Sequence, residues 1–268
     1  MRIFIVLVFC FNVLGAQNLP DTITKKEKKL IKKNLFVQNN DAFKTAGIIV
    51  SQNQFQDTRM SPLIFSGIGV GVNFNYTRFG HKYMKIRQLR LQYNALNNNE
   101  LPDEFMHLAK LEYSYGLHKK FKFPIGKLYL GGSVNNLLNA RLYFPLGNNA
   151  LAADNSLSLS PTFFWIHEKP FFKRSTYFAI QGGFNLLNFC MRYPQFIYTG
   201  LEAQLLSINN YNKFFIELQF LPRLKYSKEN HFNLSYIFET YTFSSQNDQK
   251  RIANYFNGIK IGYWLKTK

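Results

Sequence analysis

The chain has 268 residues, and its 33 Lys and Arg against 15 Asp and Glu give a formal net charge of +18. Aromatic residues make up 17% and charged residues 18%, where ordinary soluble domains carry roughly 25% charged. That aromatic content excludes a disordered chain, and two cysteines exclude a disulfide scaffold. No apolar run after residue 16 approaches the roughly 18 residues a spanning helix needs.

Residues 1–16, MRIFIVLVFCFNVLGA, read as a signal peptide. Arg2 gives a positive start, Ile3 to Phe11 is apolar, and Gly15-Ala16 offers the small residues of a cleavage site before Gln17. Cys10 falls in this leader, which leaves Cys190 as the one thiol of the mature chain. Residues 17–60 read as a basic N-terminal periplasmic segment. Thr24 and Glu27 have capping-box spacing, and Lys25, Lys26, Lys28, Lys29, Lys32 and Lys33 follow with Leu30, Ile31 and Leu35 as a thin apolar stripe. Such a short basic helix or arm suits anionic lipid headgroups or an acidic partner, and a solvated tail is the plain alternative. The lysines are not interleaved with aromatics and no nucleic-acid-binding motif is present, so nucleic acid is not an expected partner.

From residue 61 to 268 the pattern has period two. In GIGVGVNFNY, Ile68, Val70, Val72, Phe74 and Tyr76 share one face, while Gly67, Gly69, Gly71, Asn73 and Asn75 share the other. Leu89, Leu91 and Tyr93 oppose Gln88, Arg90 and Gln92. Leu111, Tyr113, Tyr115 and Leu117 oppose Lys110, Glu112, Ser114, Gly116 and His118. Leu157 and Leu159 oppose three serines, and Ile259, Ile261, Tyr263 and Leu265 oppose Gly258, Lys260, Gly262 and Trp264. Ten strands are expected, near 64–79, 82–95, 104–121, 126–144, 156–168, 174–193, 196–209, 212–226, 230–244 and 252–266. Twelve is the alternative if 126–168 holds two more. An apolar face toward lipid and a small, polar face toward a lumen make a transmembrane antiparallel up-and-down β-barrel, all-β.

Several charges fall on the polar face: Arg90, Lys110, Glu112, Glu202, Glu217, Glu239 and Lys260. In a barrel of this size they enter the lumen, where unlike charges must pair or stay hydrated. A lumen crossed by ion pairs is therefore expected, with Arg90 and Glu112 on consecutive strands as one pair. The connections are short, which argues against a large receptor, an adhesin or a loop-gated porin. One echo is visible: GGSVNNLLNARLYFP (131–145) and GGFNLLNFCMRYP (182–194) share GG, LLN and a final aromatic-Pro.

No catalytic constellation emerges. The mature histidines are His81, His107, His118, His167 and His231, and no His-x-Ser occurs. His118, Ser114 and Glu112 share a strand face at loose two-residue steps. There is no His-x-x-x-His, Cys-x-x-Cys or phosphate loop, so no metal or cofactor is expected.

The leader ending GAQ, the stretch SPLIFSGIGVGVNFNY (61–76) and the Asn-, Lys- and Phe-rich strands resemble outer-membrane β-barrel proteins of the Bacteroidota. The resemblance covers residues 60–268. It implies residence in the outer membrane after cleavage of the signal peptide. That group includes accessory subunits of secretion, glycan-uptake and barrel-assembly machines along with many barrels of unassigned role. The lack of catalytic motifs, the short loops, the charged lumen and the N-terminal arm point to a non-catalytic role as a structural or accessory subunit of such a complex. The partners would be outer-membrane lipid and other outer-membrane or periplasmic proteins. A narrow passive pore, a lipid-modifying outer-membrane enzyme and a secreted soluble β protein are the rival readings. The chain departs from barrels that end on an aromatic residue: it ends Tyr263-Trp264-Leu265-Lys266-Thr267-Lys268.

Overall fold

The computed structural model describes residues 41–267, apart from 59, 123–124, 150, 172–173, 194–201, 208–210, 225–229 and 245–250. The expected leader and the six lysines from Lys25 to Lys33 lie outside the described residues. The strands are β1 (Ala42–Asp57), β2 (Ser61–Phe79), β3 (Tyr83–Asn98), β4 (Leu101–Lys122), β5 (Lys127–Tyr143), β6 (Leu151–Phe171), β7 (Arg174–Phe184), β8 (Leu187–Tyr193), β9 (Glu202–Ser207), β10 (Tyr211–Pro222), β11 (His231–Ser244) and β12 (Arg251–Thr267). A 3-10 turn, Phe144–Asn149, joins β5 to β6.

Every pairing is antiparallel. The wall runs β1-β2-β3-β4-β5-β6-β7-β10-β11-β12 and closes where β12 pairs with β1. It is a closed ten-strand barrel, which leaves the ring with no exposed edge. β6 carries two partners on one side: its residues 162–171 pair with β7 and its residues 153–159 pair with β8. β8 therefore continues the path of β7 past a break at Asn185-Leu186, and β9 pairs with β8 to prolong the wall.

Ten strands were expected and ten close the ring, but not the same ten. Residues 42–57 were placed in the N-terminal segment, whereas they form β1 and pair along their length with both β2 and β12. AFKTAGIIVSQNQFQD alternates too, with Ile48 and Val50 outward and Thr45, Ser51 and Asn53 inward. Its polar outer positions, Gln52 and Gln54, blur the signal. The expected strands at 196–209 and 212–226 are in turn two pieces of one wall position, β9 and β10. The region 126–168 holds two strands, β5 and β6.

Five strands of 16 to 19 residues and two longer ones, β4 (22) and β6 (21), exceed the roughly 9–11 needed to cross a bilayer, so the wall projects beyond it. Both chain ends of the described barrel, β1's start and β12's end, lie at one rim with the β2–β3, β4–β5, β6–β7 and β10–β11 turns. We call this the termini rim. The turn geometry follows from residue chemistry. At the far rim, Asn98 Oδ1 accepts from Glu100 N at 2.7 Å, while its amide donates to Ile64 O at 2.6 Å, tying the β3–β4 hairpin to β2. At the termini rim, Gly126 takes φ +88°, a conformation open to a residue without Cβ.

Burial is inverted relative to a soluble protein. Ile68 is 69% exposed, and Ile48, Val50, Val70, Leu159 and Ile259 are also exposed. Asn73, Asn94, Asn233, Asn254, Arg141 and Lys260 are fully buried. The outward face is apolar and the inward face largely polar, as lipid outside and a filled lumen inside require. The expectation of a uniformly small, polar lumen needs one correction. Near the termini rim the interior is stacked with rings: Phe43, Phe79, Tyr129, Phe164 and Trp264 are each at most 2% exposed, with neighbouring centroids 5.6–6.3 Å apart. Near the far rim Phe55, Phe65, Leu96, Met106, Leu108 and Phe243 form a second apolar layer. A ring this narrow is filled by side chains.

Candidate functional site

Between the two apolar layers lies a charged layer that crosses the lumen. Arg90 on β3 and Lys110 and Glu112 on β4 alternate inward with period two. They face Lys213 and Glu217 on β10, Glu239 on β11 and Lys260 on β12. Arg90 Nη1 donates to Glu239 Oε2 at 3.0 Å, from the opposite wall, and stands 3.5 Å from Glu112 Oε2. Lys213 Nζ donates to Glu112 Oε1 at 2.5 Å and lies 3.6 Å from Glu239 Oε2. Lys260 Nζ donates to Glu217 Oε1. Lys110 Nζ makes no hydrogen bond among the described residues. It sits 5.4 Å from the Tyr241 ring centroid and 5.9 Å from that of Phe256, within cation–π range of both, and feels the charges of Glu239 and Glu112 without a direct hydrogen bond.

Six of the seven lumen charges expected from sequence therefore occupy this layer. The seventh, Glu202, lies on β9, and its side chain is outside the described set. Arg90 and Glu112 are adjacent as their register requires, being Cα partners on β3 and β4. Lys213 joins them without having been expected, because it stands at the very start of β10. Its signal was present: Lys213, Phe215, Glu217 and Gln219 are the inward set of that strand. Four cations against three carboxylates leave this layer at +1.

A second network lies toward the far rim, and sequence reading missed it. Arg192 on β8 donates from Nη2 to both carboxylate oxygens of Asp57 on β1, at 2.7 and 2.8 Å. Arg141 on β5 donates to Asp154 on β6, and its Nε lies 3.2 Å from Asp57 Oδ2. Arg192 Nε lies 3.3 Å from Asp154 Oδ1. The guanidiniums stand over the rings of Phe55 and Phe243, each 5.6 Å from the centroid. Two cations and two anions cancel, as burial demands. Each member was hidden for a local reason. Asp57 fell in the supposed N-terminal segment, Asp154 between the strands expected at 126–144 and 156–168, and Arg141 and Arg192 in strands whose alternation is broken by neighbouring apolar residues. The echo segments 131–145 and 182–194 fall on β5 and on β7–β8. The two copies flank β6 on either side, and each contributes one of the arginines.

The remaining interior is polar and closely packed. Asn53 donates to Asn94 at 2.6 Å, Asn135 to Ser160 at 2.9 Å, and Ser160 to Asn185 at 2.6 Å. Asn139 on β5 reaches Tyr241 on β11. The cavity left beside Arg90, Glu112, His118 and Lys213 measures about 20 Å³, room for one or two waters. The glycine face of β2 is part of this packing. A Cβ on Gly69 would stand 1.8 Å from Asn94 Oδ1 and 2.9 Å from Ser51 Oγ, so only glycine admits the Asn53–Asn94 contact.

The histidines are scattered. His118 is buried, and its Nε2 pairs with Thr162 Oγ1 at 2.7 Å, across from β4 on β6. Ser114 and Glu112 share its face without forming a triad with it. His107 lies on the outer wall with Nδ1 2.6 Å from Tyr93 Oη, and His167 stacks on Trp165. Among the described residues, no group of three or more His, Cys, Asp or Glu is arranged to hold a metal ion.

No protein-family model matches the sequence, and no curated protein matches it. Among solved structures, the outer membrane protease OmpT of Escherichia coli is similar at 7% identity, over 85% of this chain and 97% of that one, with TM-score 0.48. The translocator domain of the autotransporter NalP from Neisseria meningitidis is similar at 9% identity, over 89% and 93%, with TM-score 0.40. The Pseudomonas putida toluene transporter TodX is similar at 7% identity, over 85% and 90%, with TM-score 0.34. A protease, a translocator and a transporter share barrel architecture, and at these identities none of their activities carries over to this chain.

Proposed function

We propose that this chain is an outer-membrane barrel with a sealed lumen, serving as a non-catalytic structural or accessory subunit of a larger outer-membrane complex in a Gram-negative bacterium. The observation that carries the reading is the contact of Arg90 with Glu239, from walls that face each other across the ring. With the arginine network on one side and the aromatic stack on the other, three layers of side chains fill the path a solute would take. A barrel that neither conducts nor presents a catalytic group contributes its outer wall, its rims and whatever is joined to it. The accessory role rests on that reasoning and on the resemblance described from sequence. Export by way of residues 1–16 and attachment through Lys25–Lys33 belong to the same proposal.

The test is purification of the tagged full chain from outer membranes in mild detergent, with co-eluting proteins identified by mass spectrometry, and planar-bilayer recording of the same preparation. A stoichiometric partner and a silent bilayer are expected. A chain that elutes alone and gives regular conductance steps would overturn the reading in favour of a narrow pore.

A further inference from the structure

The outer wall of β1–β4 is not uniformly apolar. Toward the termini rim, two rows of outward residues run across four strands in exact register. The inner row is Lys44, Tyr76, Arg87, Tyr115, and the next, one step closer to the rim, includes Arg78, Lys85 and Leu117. Tyr83 and Lys119 pair one step further out. Lys44, Arg78, Lys85, Arg87 and Lys119 are all exposed. Arg78 and Lys85 are direct cross-strand partners, an arrangement of like charges that is unfavourable by itself. Among the described residues none of the five has a salt bridge; the only acidic residues of β1–β4 are Asp57 and Glu112, which point into the lumen, and Asp103 and Glu104, at the far rim. Arg87 stands 5.8 Å over the Tyr115 ring, and Lys119 the same distance from Phe121. The next row inward, Ala46, Phe74, Leu89, Tyr113, opens the lipid-facing band.

We propose that these five cations form a binding site for anionic phospholipid headgroups, in the leaflet at the termini rim. Their chemistry and height both select that occupant. The cations and phenols lie at the border of the apolar band, where phosphates sit. Lys and Arg can lay their stems on the band and extend their charge to the headgroups, while tyrosines suit the same interface. A phosphate between Arg78 and Lys85 turns the repulsive pair into two attractive ones. An acidic protein would need no apolar band directly beneath its contacts. The site requires only that the barrel spans a membrane; it is independent of the accessory-subunit proposal.

The experiment uses the full chain purified in zwitterionic detergent, with retained lipid measured by native mass spectrometry after titration with phosphatidylglycerol, phosphatidylcholine or lipid A. Wild type should retain phosphatidylglycerol in preference to both, and the preference should vanish in high salt. Each cation removed should weaken retention roughly five-fold, so R78Q/K85Q/R87Q should hold phosphatidylglycerol roughly a hundred-fold more weakly than wild type, with phosphatidylcholine retention unchanged. R78K/K85R, which keeps the charge, should behave as wild type, and heat-modifiable migration on gels checks that each variant is folded. Equal retention of phosphatidylglycerol and phosphatidylcholine by wild type, preference for lipid A, or a preference undiminished in the folded triple variant would each overturn the proposal.

Discussion

The most incisive perturbation is Asp57→Asn. The Asp57 side chain is fully buried and accepts two hydrogen bonds from Arg192 Nη2, with Arg141 Nε at 3.2 Å. The substitution keeps the shape and removes the charge. The network then holds two guanidiniums against the single carboxylate of Asp154, one buried positive charge in excess. Leaving a buried charge uncompensated costs about 3–5 kcal/mol. A domain's whole stability is about 5–15 kcal/mol, so the loss is a large share of it. The second variant, Asp57→Asn/Arg192→Met, restores neutrality, with Arg141 and Asp154 left as a pair. It should unfold at higher denaturant than Asp57→Asn alone, although it carries one more substitution. Urea unfolding in phosphatidylcholine vesicles, followed by the fluorescence of Trp165 and Trp264, measures both. A loss under about 1 kcal/mol for Asp57→Asn, or a double variant as damaged as the sum of its single changes, would refute the coupling.

Three further outcomes follow from the same interior and wall. The double variant Arg90→Ala/Glu239→Ala removes the central cross-lumen contact as a pair. It should give conductance steps in planar bilayers where wild type gives none, and persistent silence would show that the flanking layers seal the lumen unaided. Gly69→Ala should cost about 1–3 kcal/mol, because its Cβ displaces the Asn94 amide, whereas Gly132→Ala, whose Cβ would meet only Ser160 O at 3.5 Å, should be near neutral in the same urea titration. Val70→Arg places a charge in the middle of the outward apolar band and should cost about 2–4 kcal/mol in vesicles. A neutral result there would count against lipid on that face.

The barrel was legible in the sequence because a transmembrane wall imposes one rule on every strand. Residues of one parity meet lipid and those of the other meet the lumen, so GIGVGVNFNY, KLEYSYGLH and SLSLS announce their two faces without reference to any partner. The lumen charges Arg90, Lys110, Glu112, Glu217, Glu239 and Lys260 could be assigned to the inward face on the same ground. Where the pattern is diluted, reading by period fails: β1 was lost to its glutamines, and β9 and β10 were counted as two wall positions. The two errors offset each other in the strand count.

Which charges meet is a different kind of fact. Arg90 and Glu239 are separated by 149 positions and Asp57 and Arg192 by 135, and only closure of the ring brings them together. Alternation says that a side chain points inward, but it does not say at what height or against which opposite wall. Those are fixed by register and by the β12–β1 pairing that closes the cylinder. The sequence by itself determined the architecture and the sign of each face, because both are set by local period and solvent preference. The tertiary structure alone decided which charges meet across the lumen, because those contacts depend on side chains reaching across the ring from strands far apart in the chain.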